Sequence, residues 1–427
     1  MAKKFYIRTF GCQMNKNDSS IITKILEDRG YTRTEEIPLA DILLVNTCSV
    51  REHAENRALG YISTLKRWRN EKKRVLGVVG CMAKRLAGRI TAQLPFVDLV
   101  IGPDSYRNLP DYIEDVIESC TRIIETSDSD ETYCGIYPRS PAVCDFVSIM
   151  RGCNNYCSYC IVPYVRGRVR SRPPDDIISE IKHLIAKGVK DITLLGQNVN
   201  AYYFDGATFA VLLQKAAQIP GLTRLRFLTS HPKDFNDEMI DTVKKYENIC
   251  EWFHLPLQSG CNRILELMNR GYTKEEFVEL VTKIRHCIPE ATITTDVIVG
   301  FPTETEEEFM ETLALLDELK FDDAYMYRYS PRPGTRACRL TPLPEDIIKS
   351  RLKKLIEFQN KIMLDKIKAM VGHTYEVLFE AKSEYGGTRG KTRGNRDVVV
   401  EETIEPGEIR KVLICEVRGR TPIGKTA

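Results

Sequence analysis

The sequence predicts an α/β chain in three parts: a doubly wound parallel sheet, a partial barrel of βα units, and a small C-terminal β-barrel. Three observations carry this. Apolar runs alternate with helical stretches over the first 120 residues, the pattern of a parallel sheet with helices on its faces. The alternation resumes near residue 145 for six units, fewer than a complete eight-fold barrel. After Gly372 the apolar period drops to two. At 427 residues the chain has room for about two to four domains. Its 43% apolar and 28% charged residues exclude wholesale disorder. No apolar run approaches the ~20 residues of a membrane span. The opening MAKKFYIRTF has no continuous apolar stretch behind its lysines, so a secretory signal is not expected and a cytoplasmic setting is. Net charge is +3, from 62 basic and 59 acidic residues, so any nucleic-acid surface must come from local clustering.

Lys4–Phe10 reads as a strand ending at Gly11-Cys12. Asp18 or Ser19 offers an N-cap, Ile21, Ile22, Ile25 and Leu26 follow at helical spacing, and Gly30 closes the helix. A second apolar run, 41–45, ends at Asn46-Thr47-Cys48 and precedes a charged helical stretch around 53–69. The third, 74–79, ends at Gly80-Cys81, with a helix from about Ala83. The fourth is 98–101, and 106–117 reads as helical. These elements give a first domain over 1–120. The polar stretch 121–144 reads as a linker.

Fourteen cysteines need a reason in a chain expected to sit in a reducing compartment. Cys12, Cys48 and Cys81 each fall just past the C-terminal end of a predicted strand. In an open α/β sheet those ends share one edge, where ligands bind. Three thiols without an obvious fourth ligand suggest an iron–sulfur cluster with one open iron; zinc is the rival that spacing alone leaves open.

The sharpest motif lies beyond a strand at 145–150. Cys153, Cys157 and Cys160 form C-x3-C-x2-C, a spacing that lets one loop wrap three corners of an iron cubane. A zinc knuckle would add a nearby fourth Cys or His, but the next histidine, His183, is 23 residues on. Further strands are readable at Asp191–Leu195, Arg224–Leu228, 252–256, Thr292–Val299 and 324–329. His231 and His254 lie near strand ends and read as structural.

This region resembles the radical S-adenosylmethionine (SAM) enzymes, in which the open iron chelates the amino and carboxylate groups of SAM. The resemblance implies a TIM-like partial (βα)6 radical SAM barrel, here over 145–371. The residue before the last cysteine is usually aromatic in those enzymes and lies near the SAM adenine; here it is Tyr159. Gly196-Gln197-Asn198, after the second strand, stands where the superfamily contacts the SAM amino group. Asp296-Val-Ile-Val-Gly-Phe-Pro302 resembles the adenine-side motif, which implies Asp296 and Ile298 as contacts. It departs from the usual form, with Asp296 where a glycine is common and Glu304 one place late.

Two cysteine sets in this order look like the radical SAM methylthiotransferases. Within them, Gly11-Cys-Gln-Met-Asn15, Asn46-Thr-Cys-Ser-Val-Arg51, Gly152-Cys-Asn-Asn-Tyr-Cys157, Cys160-Ile-Val-Pro-Tyr-Val-Arg-Gly-Arg168, Leu194-Leu-Gly-Gln-Asn-Val-Asn200 and His254-Leu-Pro-Leu-Gln-Ser-Gly260 resemble the tRNA branch, the MiaB type. Gln13-Met14-Asn15 separates it from the sibling acting on a ribosomal protein, which tends to have proline after its first cysteine, and from the sibling acting on threonylcarbamoyl-adenosine, which usually carries Lys-Val there. Ser20, where an acidic residue is frequent, is a minor departure. The resemblance implies a sulfur-group transferase that converts N6-isopentenyladenosine beside the tRNA anticodon to its 2-methylthio form. It implies two 4Fe–4S clusters and SAM. The cluster on Cys153, Cys157 and Cys160 would reduce SAM to give a 5′-deoxyadenosyl radical. The cluster on Cys12, Cys48 and Cys81 would hold the sulfur to be inserted, which a second SAM methylates. The partners implied are tRNA carrying the isopentenyl group and an electron donor such as a flavodoxin or ferredoxin, with no membrane; a monomer is expected.

Two stretches are basic enough to meet RNA. Arg166, Arg168, Arg170 and Arg172 alternate, which in an extended segment puts all four on one face, and the arginine fork suits phosphate. A solvated loop or ion pairs into the core is the other reading. A second basic run, from Lys66 to Arg74, reads as a solvated helix end. A long amphipathic helix over 343–371 precedes the period-two segment, whose apolar positions are Tyr375, Val377 and Phe379, then 398–400, then Val412, Ile414 and Val417. This last part, 372–427, resembles the TRAM domain, an RNA-binding module, and Arg389, Lys391, Arg393 and Arg396 cluster on it. Two other functions fit the same residues. One is a radical SAM enzyme with a different acceptor, such as a protein side chain. The other is a non-catalytic RNA-binding protein with structural zinc.

Overall fold

A computed structural model describes residues 2–49, 52–138, 142–384 and 386–427. Val50 and Arg51, the end of one quoted motif, lie outside the described residues. Six strands form the first sheet: β1 Lys4–Phe10, β2 Thr32–Arg33, β3 Ile42–Thr47, β4 Val75–Gly80, β5 Leu99–Ile101 and β6 Ile123–Glu125. Every pair is parallel and the order is β2-β1-β3-β4-β5-β6. β3, β4 and β5 are buried along their whole length, as expected of strands covered by helices on both faces. One apolar layer gathers Phe5, Ile22, Leu26 and Leu44; the other gathers Leu43, Val45, Ile62 and Met82.

The first helix differs from its expected start. It spans Gln13–Asp28 with Cys12 at the N-cap, so neither Asp18 nor Ser19 caps it. Asp18 lies inside the helix and is fully buried because two arginines from the barrel meet it there. The helix after β4 likewise begins at Cys81 itself, without an intervening loop.

The expected linker is not free. Its first residues form β6, which completes the sheet. Tyr133 is buried, with its hydroxyl donating to the Pro103 carbonyl at 2.7 Å. Farther on, the Gly135 amide and the Tyr137 hydroxyl both donate to Asp176 of the barrel.

Strands β7 Cys144–Ser148, β10 Asp191–Leu195 and β13 Arg224–Leu228 pair in parallel, as do β14 Trp252–His254, β15 Thr292–Val299 and β16 Asp323–Arg328. The single parallel bridge between Leu225 and Ile249 joins the two sets into one six-strand arc. Between β7 and β10 a short antiparallel pair, β8 Met150–Arg151 and β9 Arg170–Ser171, closes the cysteine loop at its base. A two-residue hairpin, β11 Tyr203–Phe204 and β12 Ala207–Thr208, follows β10. Glu345–Lys368 is the long helix, fastened to the barrel by Arg351 on Glu304 and by Gln359 on the Phe321 carbonyl.

The last five strands, β17 Thr374–Lys382, β18 Thr388–Thr392, β19 Asp397–Val400, β20 Ile409–Arg418 and β21 Thr421–Thr426, form a closed barrel. Val377, Phe379, Val398, Val400, Val412 and Ile414 fill it, as the period-two reading expects. Val417 is only half-buried because the register shifts between Ile414 and Glu416, and that bulge breaks the alternation.

Candidate functional site

The N-terminal thiols are placed by the sheet. Cys12 follows β1, Cys48 follows β3 and Cys81 follows β4, so all three stand on the C-terminal edge of adjacent strands. Asn15 and Asn46 hold the edge together. The Asn15 side-chain amide donates to Asn46 Oδ1 and to the Thr47 carbonyl, and Asn46 donates back to the Asn15 carbonyl at 2.8 Å. The Cys12 thiol donates to Asn15 Oδ1 at 3.4 Å. A Cβ added at Gly11 would lie 2.7 Å from Cys48 Cβ, so only glycine lets the two loops meet this closely. A hydrogen bond with Cys48 and the charge of Arg166 outweigh burial and bring the Cys12 thiol down to about 6. Burial raises Cys81 against the same arginine, whose Nε donates to Cys81 Sγ at 3.2 Å.

The second set is placed by one loop. Gly152 turns the chain with φ +80°, and a Cβ there would stand 1.9 Å from the Arg168 carbonyl oxygen. Cys153 and Cys157 are buried and Cys160 is half-buried. Burial pushes the Cys160 thiol up to about 12, and its neighbours Cys157 and Cys153 push the same way. Arg270, fully enclosed, donates to Cys157 Sγ at 3.3 Å, to the Tyr159 hydroxyl at 3.5 Å and to the Pro256 carbonyl at 2.9 Å. The thiols of each set are neighbours rather than a closed ligand set: among the described residues, no three His, Cys, Asp or Glu side chains stand as a group that could hold a metal ion. The chemistry of each donor set nonetheless fits an iron–sulfur cluster. Each set brings three soft sulfurs to one strand edge or one loop, with a buried guanidinium donating to one of them.

The residues expected around SAM fall into two groups. Tyr159 and Ile298 pack on one apolar cluster with Phe301 and Tyr329. Gln197 keeps a buried Oε1 with no partner among the described residues. Asn198 is held by protein at both ends, donating to Asp234 and accepting from the His231 amide. Asp296 stands 3.5 Å from His254 Nε2, and His254 Nδ1 meets Thr294. Sequence reasoning missed Arg270 altogether, since no motif marks it. It also missed Gln258, which carries φ +72° and an unpartnered Oε1 beside Asp296 and Ile298. That residue sits in the quoted His254–Gly260 block, the one signal that could have found it.

The four alternating arginines do not share a face. Arg166 ends the helix Val162–Arg166, whereas Arg170 lies in a strand, so the period-two reading fails between them. Arg166 pairs with Asp18, Arg170 with Asp104, and Arg172 with Asp176 and Glu180, all inside the protein. Only Arg168 is exposed. The C-terminal cluster divides in the same way. Arg393 binds Glu251, and Arg396 donates to the Asp322 carbonyl, both on the barrel. The Lys391 carbonyl accepts from Arg224 while its side chain is half-buried, and Arg389 is exposed. Arg166, Arg170, Arg393 and Arg396 join domains that sequence spacing keeps far apart, whereas Arg172 is held within the barrel by partners four and eight residues on.

The two sites adjoin. Cys81 packs with Ile161 and Val165, the residues just after Cys160. Arg332, in the loop after β16, reaches back to Glu55 of the first domain at 2.9 Å, and Glu55 also binds Arg85.

A three-cysteine loop opening from the first strand of a six-strand parallel arc defines the radical SAM class, and the Radical SAM superfamily matches residues 147–316. Residues 4–102 match Uncharacterized protein family UPF0004, and 368–425 match the TRAM domain. Among solved structures the fold is similar to the radical SAM methyltransferase TsrM from Kitasatospora setae, with TM-score 0.58 and 14% identity over 79% of this chain and 74% of that one. It is also similar to the cobalamin-dependent radical enzyme OxsB, with TM-score 0.53 and 10% identity over 84% of this chain and 56% of that one. Much nearer in sequence are the tRNA-2-methylthio-N6-dimethylallyladenosine synthases. That of Desulforamulus reducens is 42% identical over 98% of this chain and 94% of its own. Those of Caldicellulosiruptor saccharolyticus and of Clostridium botulinum strain Hall are each 44% identical, over 93% and 99% of this chain and 87% and 96% of theirs. The chain belongs to this synthase family. Among the described residues no helix is long and apolar enough to cross a membrane.

Proposed function

We propose that this chain 2-methylthiolates N6-isopentenyladenosine beside the tRNA anticodon, with Cys153, Cys157 and Cys160 holding one 4Fe–4S cluster and Cys12, Cys48 and Cys81 the other. The observation that carries it is the juxtaposition of the two thiol pockets, with Cys81 packed against Ile161. A base that must lose hydrogen at one site and gain sulfur from the other needs both within reach. When bound, SAM and the two clusters supply the carbon radical that takes the C2 hydrogen and the sulfur that replaces it. The chain's part is to position and enclose. Tyr159 and Ile298 form an apolar wall for the SAM adenine. The unpartnered oxygens of Gln197 and Gln258 are acceptors for its ammonium and hydroxyl groups. Arg270 neutralises charge at Cys157. Arg168 and Arg389 are exposed cations for phosphate, and a flavodoxin or ferredoxin would supply electrons.

The substrate base lies in a loop and can be unstacked without opening a duplex. Burial of the isopentenyl carbons, about 0.8 kcal/mol for each CH2, should favour the modified tRNA by roughly tenfold or more. Deuterium at C2 of that adenine should appear in 5′-deoxyadenosine. Equal turnover of tRNA with and without the isopentenyl group would refute the substrate, and absence of deuterium transfer would refute direct abstraction. Replacing either cysteine triplet by alanine should remove about half of the iron, and only the Cys153, Cys157 and Cys160 variant should lose SAM cleavage.

A further inference from the structure

Arg166 occupies a position that neither an RNA contact nor an ordinary ion pair explains. It ends the short helix Val162–Arg166, directly after the loop that carries Cys153, Cys157 and Cys160. Its guanidinium is buried and turns to the other site. Nη2 donates to Asp18 Oδ2 at 2.7 Å and Nε donates to Cys81 Sγ at 3.2 Å. Asp18, wholly enclosed on the first helix, also accepts from Arg151 Nη1 at 2.8 Å. Arg151 is in turn held by the Pro103 carbonyl and lies over the Tyr133 ring at 4.7 Å.

The charges of this group do not cancel. One carboxylate faces two guanidiniums, so the interior carries one surplus positive charge. Asp18 is shared, one oxygen to each arginine, so one positive charge is left over between them, and Arg166 is the one that turns to a thiol, with Nη1 buried and unpartnered among the described residues. A buried charge without a counter-ion is strongly unfavourable. The thiol that Arg166 touches is that of Cys81, through Nε at 3.2 Å, and Cys12 stands on the same strand edge. The arrangement is therefore built for negative charge on those sulfurs, which a cluster with three thiolate ligands supplies.

Resting on the two-cluster reading above, we infer that Arg166 is a positioning residue for the N-terminal cluster. Its hydrogen bond to the Cys81 sulfur stabilises the added electron of the reduced cluster, and its pair with Asp18 fixes that cluster against the loop that binds the other. Hydrogen bonds and positive charge at cluster sulfurs raise the reduction potential. Arg166→Gln removes both and leaves Asp18 balanced by Arg151, so the fold keeps a neutral pair.

The test is a potentiometric titration of the N-terminal cluster, followed by electron paramagnetic resonance, in full-length chains carrying Cys153, Cys157 and Cys160 replaced by alanine. Arg166→Gln should disfavour reduction at least tenfold, a fall of about 59 mV for a one-electron couple. Arg166→Lys, which keeps the charge, should recover part of it. An unchanged midpoint in Arg166→Gln at full iron content overturns the inference, as does a fall in Arg166→Lys as large as in Arg166→Gln. If neither variant takes up N-terminal iron, the same substitutions in the otherwise unaltered chain decide. Iron retained at Cys153, Cys157 and Cys160 alone supports the inference, and loss at both sites overturns it. Full iron after replacement of Cys12, Cys48 and Cys81 would instead defeat the two-cluster reading itself.

Discussion

A single methyl group at Gly152 should separate the cluster loop from the rest of the molecule. The residue stands at φ +80°, and its missing Cβ would overlap the Arg168 carbonyl oxygen at 1.9 Å. The Cys153 amide donates to the Gly167 carbonyl across the same turn, so the loop has no freedom to move aside. Gly152→Ala is expected to lose about half the iron and all SAM cleavage, with the N-terminal cluster retained; iron analysis and 5′-deoxyadenosine formation check it. His231 gives a pH prediction. It is buried beside Arg270 and Lys233, and burial with those charges lowers its pKa to about 2 from the ordinary 6.5. Above about pH 6.5 the ring is neutral folded or unfolded and contributes no pH dependence. Below it, only the unfolded chain takes up the proton, so stability falls as pH falls, by about 1.4 kcal/mol per unit. From pH 6.5 to 5 that is about 2 kcal/mol, a loss that His231→Asn should escape. Denaturant unfolding at the two pH values measures it, and identical losses in both proteins would count against the assignment.

Among the elements, legibility in the sequence followed how local the cause was. The strand-end cysteines were readable because a βα alternation sends all C-terminal strand ends to one edge, whatever the details of packing. The strands Asp191–Leu195, Arg224–Leu228 and Thr292–Val299 were readable in full, since each is an apolar run with its own turn signals. The first helix was misread because Asp18 is a better N-cap type than Cys12; its true role depends on arginines 133 and 148 residues away. Arg270 and, Arg172 apart, the split basic clusters were hidden for the same reason, their partners being set by tertiary contact. The capping boxes were missed although their signal is local. Thr305 accepts from the Glu308 amide while Glu308 accepts from the Thr305 amide, and Thr273 and Glu276 repeat the arrangement. Glu308 also accepts from Arg263, and that bond brings its carboxyl down to about 2. Thr305→Ala should therefore destabilise the barrel by about 1 kcal/mol without altering cluster content, as read from a denaturant midpoint with an unchanged slope.

On the scale of the molecule, the C-terminal barrel closes the end of the radical SAM barrel opposite the cysteines. Contacts run to the N-terminal end of nearly every strand. Glu380 accepts from Cys144 at the start of β7, and Arg226 joins Asp191 at the start of β10 to the carbonyls of Thr392 and Arg393. Arg224 at the start of β13 donates to the Lys391 carbonyl and to Glu376. Arg393 binds Glu251 just before β14, Gly394 approaches Thr292 at the start of β15, and Arg396 donates to the Asp322 carbonyl just before β16. The domain thus has a structural duty apart from RNA. Removing residues 372–427 would take Glu376 and the Lys391 carbonyl from Arg224 and two acceptors from Arg226, and would open that end of the barrel to water. A truncated chain should accordingly unfold earlier, and its loss of tRNA affinity would mix two causes. Arg389→Glu separates them, because that side chain is exposed and has no hydrogen bond or ion pair to the radical SAM barrel among the described residues. The expected outcome is weaker tRNA binding with unaltered stability and a salt dependence reduced by about one charge in the slope of log affinity against log salt. An unchanged slope would remove Arg389 from the RNA surface and leave Arg168, at the cysteine end, to carry the phosphate contact.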